Sequence, residues 1–162
     1  MTPALFDDLM ADEGLRLRAY PDPLSGAEPW TIGYGHTGPE VHPALTWTEG
    51  QAIQALHVDV GRAVVALDAH LPWWRGLGDV RQDCLVELCF NMGVGFPPEA
   101  GRPGRGLRAF VQALEDLRAG RYAEAAEHLL ASRWAHEVGR RAGRLAHMIR
   151  DGVRPARCVS AD

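Results

Sequence analysis

The chain has 162 residues, 46% of them hydrophobic and 23% charged, with a formal net charge of -4. That length allows one domain, or two lobes sharing a sizeable interior, and the composition excludes a disordered or fibrous chain. All 17 basic residues are arginine; residues 1–81 carry 5 Arg against 11 acids, and residues 82–162 carry 12 Arg against 10.

The first helix has clear start signals, with Thr2 as N-cap and Pro3 at its first position. Leu5, Phe6, Leu9 and Met10 form its apolar stripe, and Gly14 is a natural stop. From 15 to 37 the pattern changes to short extended runs broken by Pro and Gly, a small hairpin-like β region. Thr46 and Glu49 read as a capping box that opens a helix running to about Leu71, where Pro72 ends it. Ala52, Ile53, Leu56, Val60, Val64 and Leu67 line one face of that helix. A further helix starts near Asp79. The Gly/Pro-rich segment 93–106 reads as irregular, and helices near 107–118, 122–131 and 135–151 complete the pattern.

These elements predict an α+β chain, predominantly α. A small β lobe at 14–45 is followed by a connecting helix at 46–71 and a helical lobe at 72–157 packed with residues 1–13, leaving room for a cleft between the lobes. No separate binding module is expected beside these lobes.

Within 133–157, 7 Arg stand against 2 acids. An anionic polymer would suit such a patch, but it lies on a helical run without aromatic interleaving. It reads as a solvated or internally paired face, and no nucleic-acid partner is expected. Cys84 and Cys89 point to different faces of one helix, and Cys158 lies in the tail. An odd count without disulfide or zinc spacing suits a reducing cytoplasm. The N-terminus has acids where a signal peptide needs basic residues, and no run approaches the roughly 20 apolar residues of a membrane span, so no membrane insertion is expected.

The segment 11–38 concentrates the candidate chemistry. Glu13 continues the apolar stripe of its helix and sits at the helix C-terminus, where desolvation and the macrodipole both disfavour negative charge. A frayed, solvated glutamate is the bland alternative. Asp22 stands between Pro21 and Pro23, a rigid mount for a carboxylate that holds a water, or simply a turn former. In "WTIGYGH" a period of two puts Trp30, Ile32, Tyr34 and His36 on one bulky face. Thr31, Gly33 and Gly35 take the other, a hydroxyl beside a bare floor on which a ligand could lie. His36 on the core side reads as a buried histidine with an acidic partner rather than as a catalytic one.

"DEGLRLRAYPD", "WTIGYGHTG", "CFNMG" and "SRWAHEVGRRAGRLAHMIRDG" together resemble the phage-type lysozymes, glycoside hydrolase family 24. The likeness covers nearly the whole chain. It implies a lysozyme-like fold and inverting hydrolysis of the β-1,4 bond between N-acetylmuramic acid and N-acetylglucosamine in peptidoglycan. Glu13 is then the general acid, and Asp22 and Thr31 hold the attacking water. Inversion implies carboxyl groups about 6.5–9.5 Å apart. No metal or organic cofactor is implied.

By the same resemblance Thr37, Phe90, Asn91, His128 and Arg141 contact substrate, Arg141 also pairing with Glu13, while His36 and Asp59 form a structural salt bridge. Trp134 reads as core. "PLSGAEPW" is longer than the shortest family members carry between Asp and Thr, and Glu28 within it reads as an exposed loop residue. The resemblance further implies a monomeric phage or prophage endolysin held in the host cytoplasm until a holin releases it, or one carried on a virion. A lytic transglycosylase and a non-catalytic virion or wall-binding protein are the competing readings.

Overall fold

The computed structural model describes residues 1–21, 26 and 28–155. Among them are seven α-helices and one three-stranded antiparallel sheet, the expected α+β fold of lysozyme type. The chain divides into two compact units, Pro3–Val65 and Ala66 onward together with Met1–Thr2.

In the first unit, helix α1 (Pro3–Glu13) is followed by strands β1 (Arg16–Pro21), β2 (Trp30–Gly33) and β3 (His36–Thr37), paired in that order. Leu5 and Leu9 of the predicted stripe are fully buried. Residues 1–13 were expected with the helical lobe, yet Pro3–Glu13 group with the sheet. One reason is that the Phe6 ring packs on the His57 ring of α2 at 4.2 Å between centroids. The Thr2 hydroxyl, expected to cap α1, donates to the Asp83 carboxylate at 2.5 Å.

Helix α2 (Glu49–His70) starts two residues later than its predicted box. Thr48 is the cap. Its hydroxyl accepts from the Gln51 amide at 3.3 Å, and its own amide donates to Gln51 Oε1 at 2.8 Å. Thr46 is instead bridged to Arg18 of β1, and the Trp47 amide donates to Leu17 O at 2.9 Å. Backbone pairing to the strand claims 45–47, so the helix cannot start until Thr48. Of the patterned face of α2, Ala52, Leu56, Val60 and Leu67 are at most 2% exposed, while Ile53 and Val64 are half-buried.

The second unit holds a 3-10 turn at Pro72–Gly76 and helices α3 (Asp79–Met92), α4 (Val111–Arg118), α5 (Tyr122–Leu130), α6 (Arg133–Val138) and α7 (Arg140–Asp151). Helix α7 packs on α3, α5 and α6, and α4 packs on α5. Leu85, Leu107, Leu117, Leu129 and Leu145 supply the buried contacts. The helix predicted over 135–151 is two helices, because Gly139 breaks the run. Segment 93–106 is more ordered than its composition suggests. Phe96 and Arg105 exchange two backbone hydrogen bonds of 2.9 Å, and Glu99 pairs with Arg102.

The arginine-rich stretch is mostly paired. Arg133 meets Glu137, Arg144 meets the fully buried Glu87, Arg150 meets Asp151, and Arg154 meets the fully buried Asp83. Cys84 and Cys89 are free and buried, and burial pushes the Cys89 thiol up to about 11. Cys158 lies outside the described residues.

Candidate active site

Glu13 is the last residue of α1, and Gly14 follows it with its amide on Met10 O at 3.1 Å. The chain then turns into the sheet, and the tip of the β2–β3 hairpin returns to Glu13. A Cβ placed on Gly35 would lie 3.2 Å from Glu13 Oε2. A residue without a side chain therefore sits against the carboxylate, and its φ of +81° is one that glycine adopts without strain.

The hairpin corrects the reading of "WTIGYGH" as a single strand with a bare glycine floor. The strand ends at Gly33, the chain reverses through Tyr34 and Gly35, and β3 begins at His36. Gly33 is buried. A Cβ there would lie 3.1 Å from the Trp47 indole and 3.3 Å from the Ala52 Cβ, so its open side is filled by protein. Gly35 faces Glu13 instead. Left-handed φ values at both glycines turn the chain back on itself, so the strict alternation of an extended strand does not hold through them.

Cross-strand pairing still sorts the larger side chains as expected. Ile32 is opposite His36 and both are buried. Thr31 is opposite Thr37, which puts two hydroxyl side chains next to each other on the other face. Thr31 is half-buried and Thr37 exposed. Asp22 lies outside the described residues.

His36 has both ring nitrogens occupied. Nδ1 is 2.6 Å from Asp59 Oδ2, the partner expected from the sequence, and Nε2 is 2.8 Å from Glu40 Oε1, a partner the sequence reading missed. Burial opposes protonation of this ring, but the hydrogen bonds to Asp59 and Glu40 outweigh it. Together they raise its pKa above the ordinary 6.5. Arg62 donates to the other Asp59 oxygen at 2.9 Å. The network ties β3 to the middle of α2 and fixes the hairpin that carries Thr31, Gly35 and Thr37.

The other expected contacts lie in the second unit. Phe90 and Asn91 close α3. Asn91 Oδ1 accepts from the Trp134 indole at 2.8 Å, and the Phe110 ring meets Trp134 edge-on at 6.3 Å. Trp134, read from sequence as core, is half-buried. With Phe110, His128 and Ser132 it lines a cavity of about 470 Å³. His128 Nδ1 lies 2.8 Å from Asp116, whose carboxyl Arg121 and then His128 hold below the usual range. Arg141 stands half-buried in α7. Trp134 could have been read as a partner of Asn91 only through the tertiary fold, since 43 residues separate them.

The family model described as phage lysozyme matches residues 10–150. An endolysin of Bacillus phage B103 is 38% identical over 86 residues, which cover 51% of this chain and 30% of that protein. The chain thus spans less than a third of that relative's length. The family match takes in both Glu13 and Thr31 as well as helices α2 to α6 and nearly all of α7, so the chain belongs to the phage lysozyme family.

Proposed function

We propose that the protein is a lysozyme that hydrolyses the β-1,4 bond between N-acetylmuramic acid and N-acetylglucosamine in peptidoglycan, with inversion, and serves a phage or prophage as its endolysin. The observation that carries this reading is the seat of Glu13 at the end of α1 against the bare Gly35 turn, within the stretch matched by the family. In the proposed reaction Glu13 gives its proton to the glycosidic oxygen as the bond from the anomeric carbon breaks. Asp22 and Thr31 hold a water on the opposite face of the sugar. That water bonds to the anomeric carbon and passes its proton to Asp22. Thr37, Phe90, Asn91, His128 and Arg141 are proposed glycan contacts, and His36 with Asp59 a structural pair.

The partner on this reading is the glycan strand of the cell wall, met by a monomer released from the host cytoplasm through a holin or carried on a virion. Among the described residues no helix is long and apolar enough to cross a membrane. Digestion of purified peptidoglycan tests the proposal. The wild type should yield products with a free reducing end, and Glu13→Gln and Asp22→Asn should yield almost none while keeping the wild-type melting temperature. Anhydro products, lighter by one water, would identify a transglycosylase. Undiminished lysis by Glu13→Gln would sink the acid assignment.

A further inference from the structure

Val111, Leu114, Glu115 and Arg118 recur at helical spacing on one face of α4. With Leu71 and Trp73, from the end of α2 and the 3-10 turn after it, they line a cavity of about 400 Å³. Its volume falls within the range of small-ligand sites, and both of its walls belong to the second unit. Leu71 is buried, Trp73, Val111 and Leu114 are half-buried, and Glu115 and Arg118 are exposed, so apolar groups form the floor and charged ones the rim. The adjacent tryptophans of the 3-10 turn are used differently. Trp74 is fully buried with its indole on Asp68, whereas Trp73 gives its ring to the cavity.

Arg108 adds a second guanidinium to the lining, and its contact is the ring nitrogen Nδ1 of His70 at 3.4 Å. Among the described residues no carboxylate pairs with Arg108 or with Arg118. Other arginines of this unit are held by acids, Arg75 by Asp68, Arg121 by Asp116 and Arg144 by Glu87. With His70 neutral, two guanidiniums face the one carboxylate of Glu115, and the lining carries positive charge in excess.

We infer that this cavity is a binding site for a small amphipathic monoanion, an alkyl chain ending in a carboxylate, of the class of a medium-chain fatty acid. A guanidinium fork matches a carboxylate with two parallel hydrogen bonds. Leu71, Val111 and Leu114 outnumber the one indole, and an aliphatic wall suits a flexible chain better than a rigid planar body. Glu115 sets the charge of the occupant. A monoanion matches the excess of the two arginines over that carboxylate, whereas a dianion would be repelled by it and a cation by the arginines. None of the proposed glycan contacts lines the cavity, so its occupancy is independent of the lysozyme reading.

Calorimetric titration of octanoate into the whole chain near pH 8 tests the site. Saturable binding of one octanoate is expected, tighter than that of acetate, octanol or octyltrimethylammonium. Arg118→Ala should weaken octanoate binding about fivefold, the upper end for an exposed ion pair. Glu115→Gln should tighten it, by about twofold to fivefold, as the opposing carboxylate is removed. Both residues are exposed, so both variants are expected to fold, and a merely loosened fold would not tighten binding. Trp73→Phe should abolish the octanoate-dependent change in tryptophan emission, which places the ligand in this cavity. Octanol binding as tightly as octanoate would reduce the cavity to a hydrophobic patch, and acetate binding as tightly would reduce it to an anion site. Either result overturns the inference. So does an unchanged affinity in both charge variants, an emission change that survives Trp73→Phe, or no saturable binding up to about 10 mM octanoate.

Discussion

Replacing His36 with Asn removes a ring that is 5% exposed and bonded at both nitrogens. Asp59 keeps Arg62 at 2.9 Å, so its carboxylate is not left bare. What it loses is a charge-assisted hydrogen bond of 2.6 Å at a side chain 17% exposed. Such a loss costs about 1.5–3 kcal/mol. The contact to Glu40 adds less, because that side chain is 55% exposed and water screens the pair. For a chain of this size the expected fall in melting temperature is roughly 3–12 °C.

The sign of the pH dependence follows from the raised pKa of His36. The folded state favours the protonated ring, so the stabilisation is complete below the ordinary 6.5 and fades as pH rises through the higher folded value. Thermal unfolding followed by circular dichroism near pH 5 and near pH 9 should therefore show a larger gap between wild type and His36→Asn at the lower pH. A variant within about 0.5 kcal/mol of wild type at the lower pH would refute the reasoning. So would a gap that widens as the pH is raised.

Three further outcomes are expected. Gly35→Ala puts a methyl 3.2 Å from Glu13 Oε2 at a φ of +81°, at a cost of about 1–2 kcal/mol in backbone strain. Peptidoglycan turnover should fall about tenfold or more as Glu13 is displaced, and wild-type kcat would contradict the close approach. Thr48→Ala removes the cap of α2 and should lower stability by about 1 kcal/mol in urea titration, whereas Thr46→Ala should leave the cap intact. Asp68→Ala strips the acceptor from the indole of the fully buried Trp74, bonded at 2.8 Å, and should lower the melting temperature at neutral pH. Arg75 and then Trp74 hold the Asp68 carboxyl at about 2, so its stabilisation is present above the ordinary 3.8 and disappears as pH falls through about 2. The difference between wild type and Asp68→Ala should therefore narrow in acid.

Much of the architecture was legible because it follows from local chemistry. The buried positions of α2 repeat at helical spacing, Pro72 stops that run, and Gly14 terminates α1. The family resemblance lies in short motifs and placed Glu13 and Thr31 on the matched stretch directly. Where the sequence misled, a non-local contact had outvoted a local preference. Thr46 has the spacing of a cap, but a bridge to Arg18 holds it in extended backbone. The glycines of "TIGYG" alternate as in an extended strand, but their left-handed φ values fold it into a hairpin.

The sequence by itself determined the residue types, the amphipathic helices and the common face of Ile32 and His36, because periodicity and turn chemistry act over a few residues. Tertiary structure alone decided what meets those residues: Glu13 against Gly35, Asp59 and Glu40 on His36, Trp134 on Asn91, and Glu28 beside Trp30 and Thr37 in one cavity. The physical reason is that burial, hydrogen-bond partnership and desolvation are properties of what surrounds a group, and chain separation carries no record of them.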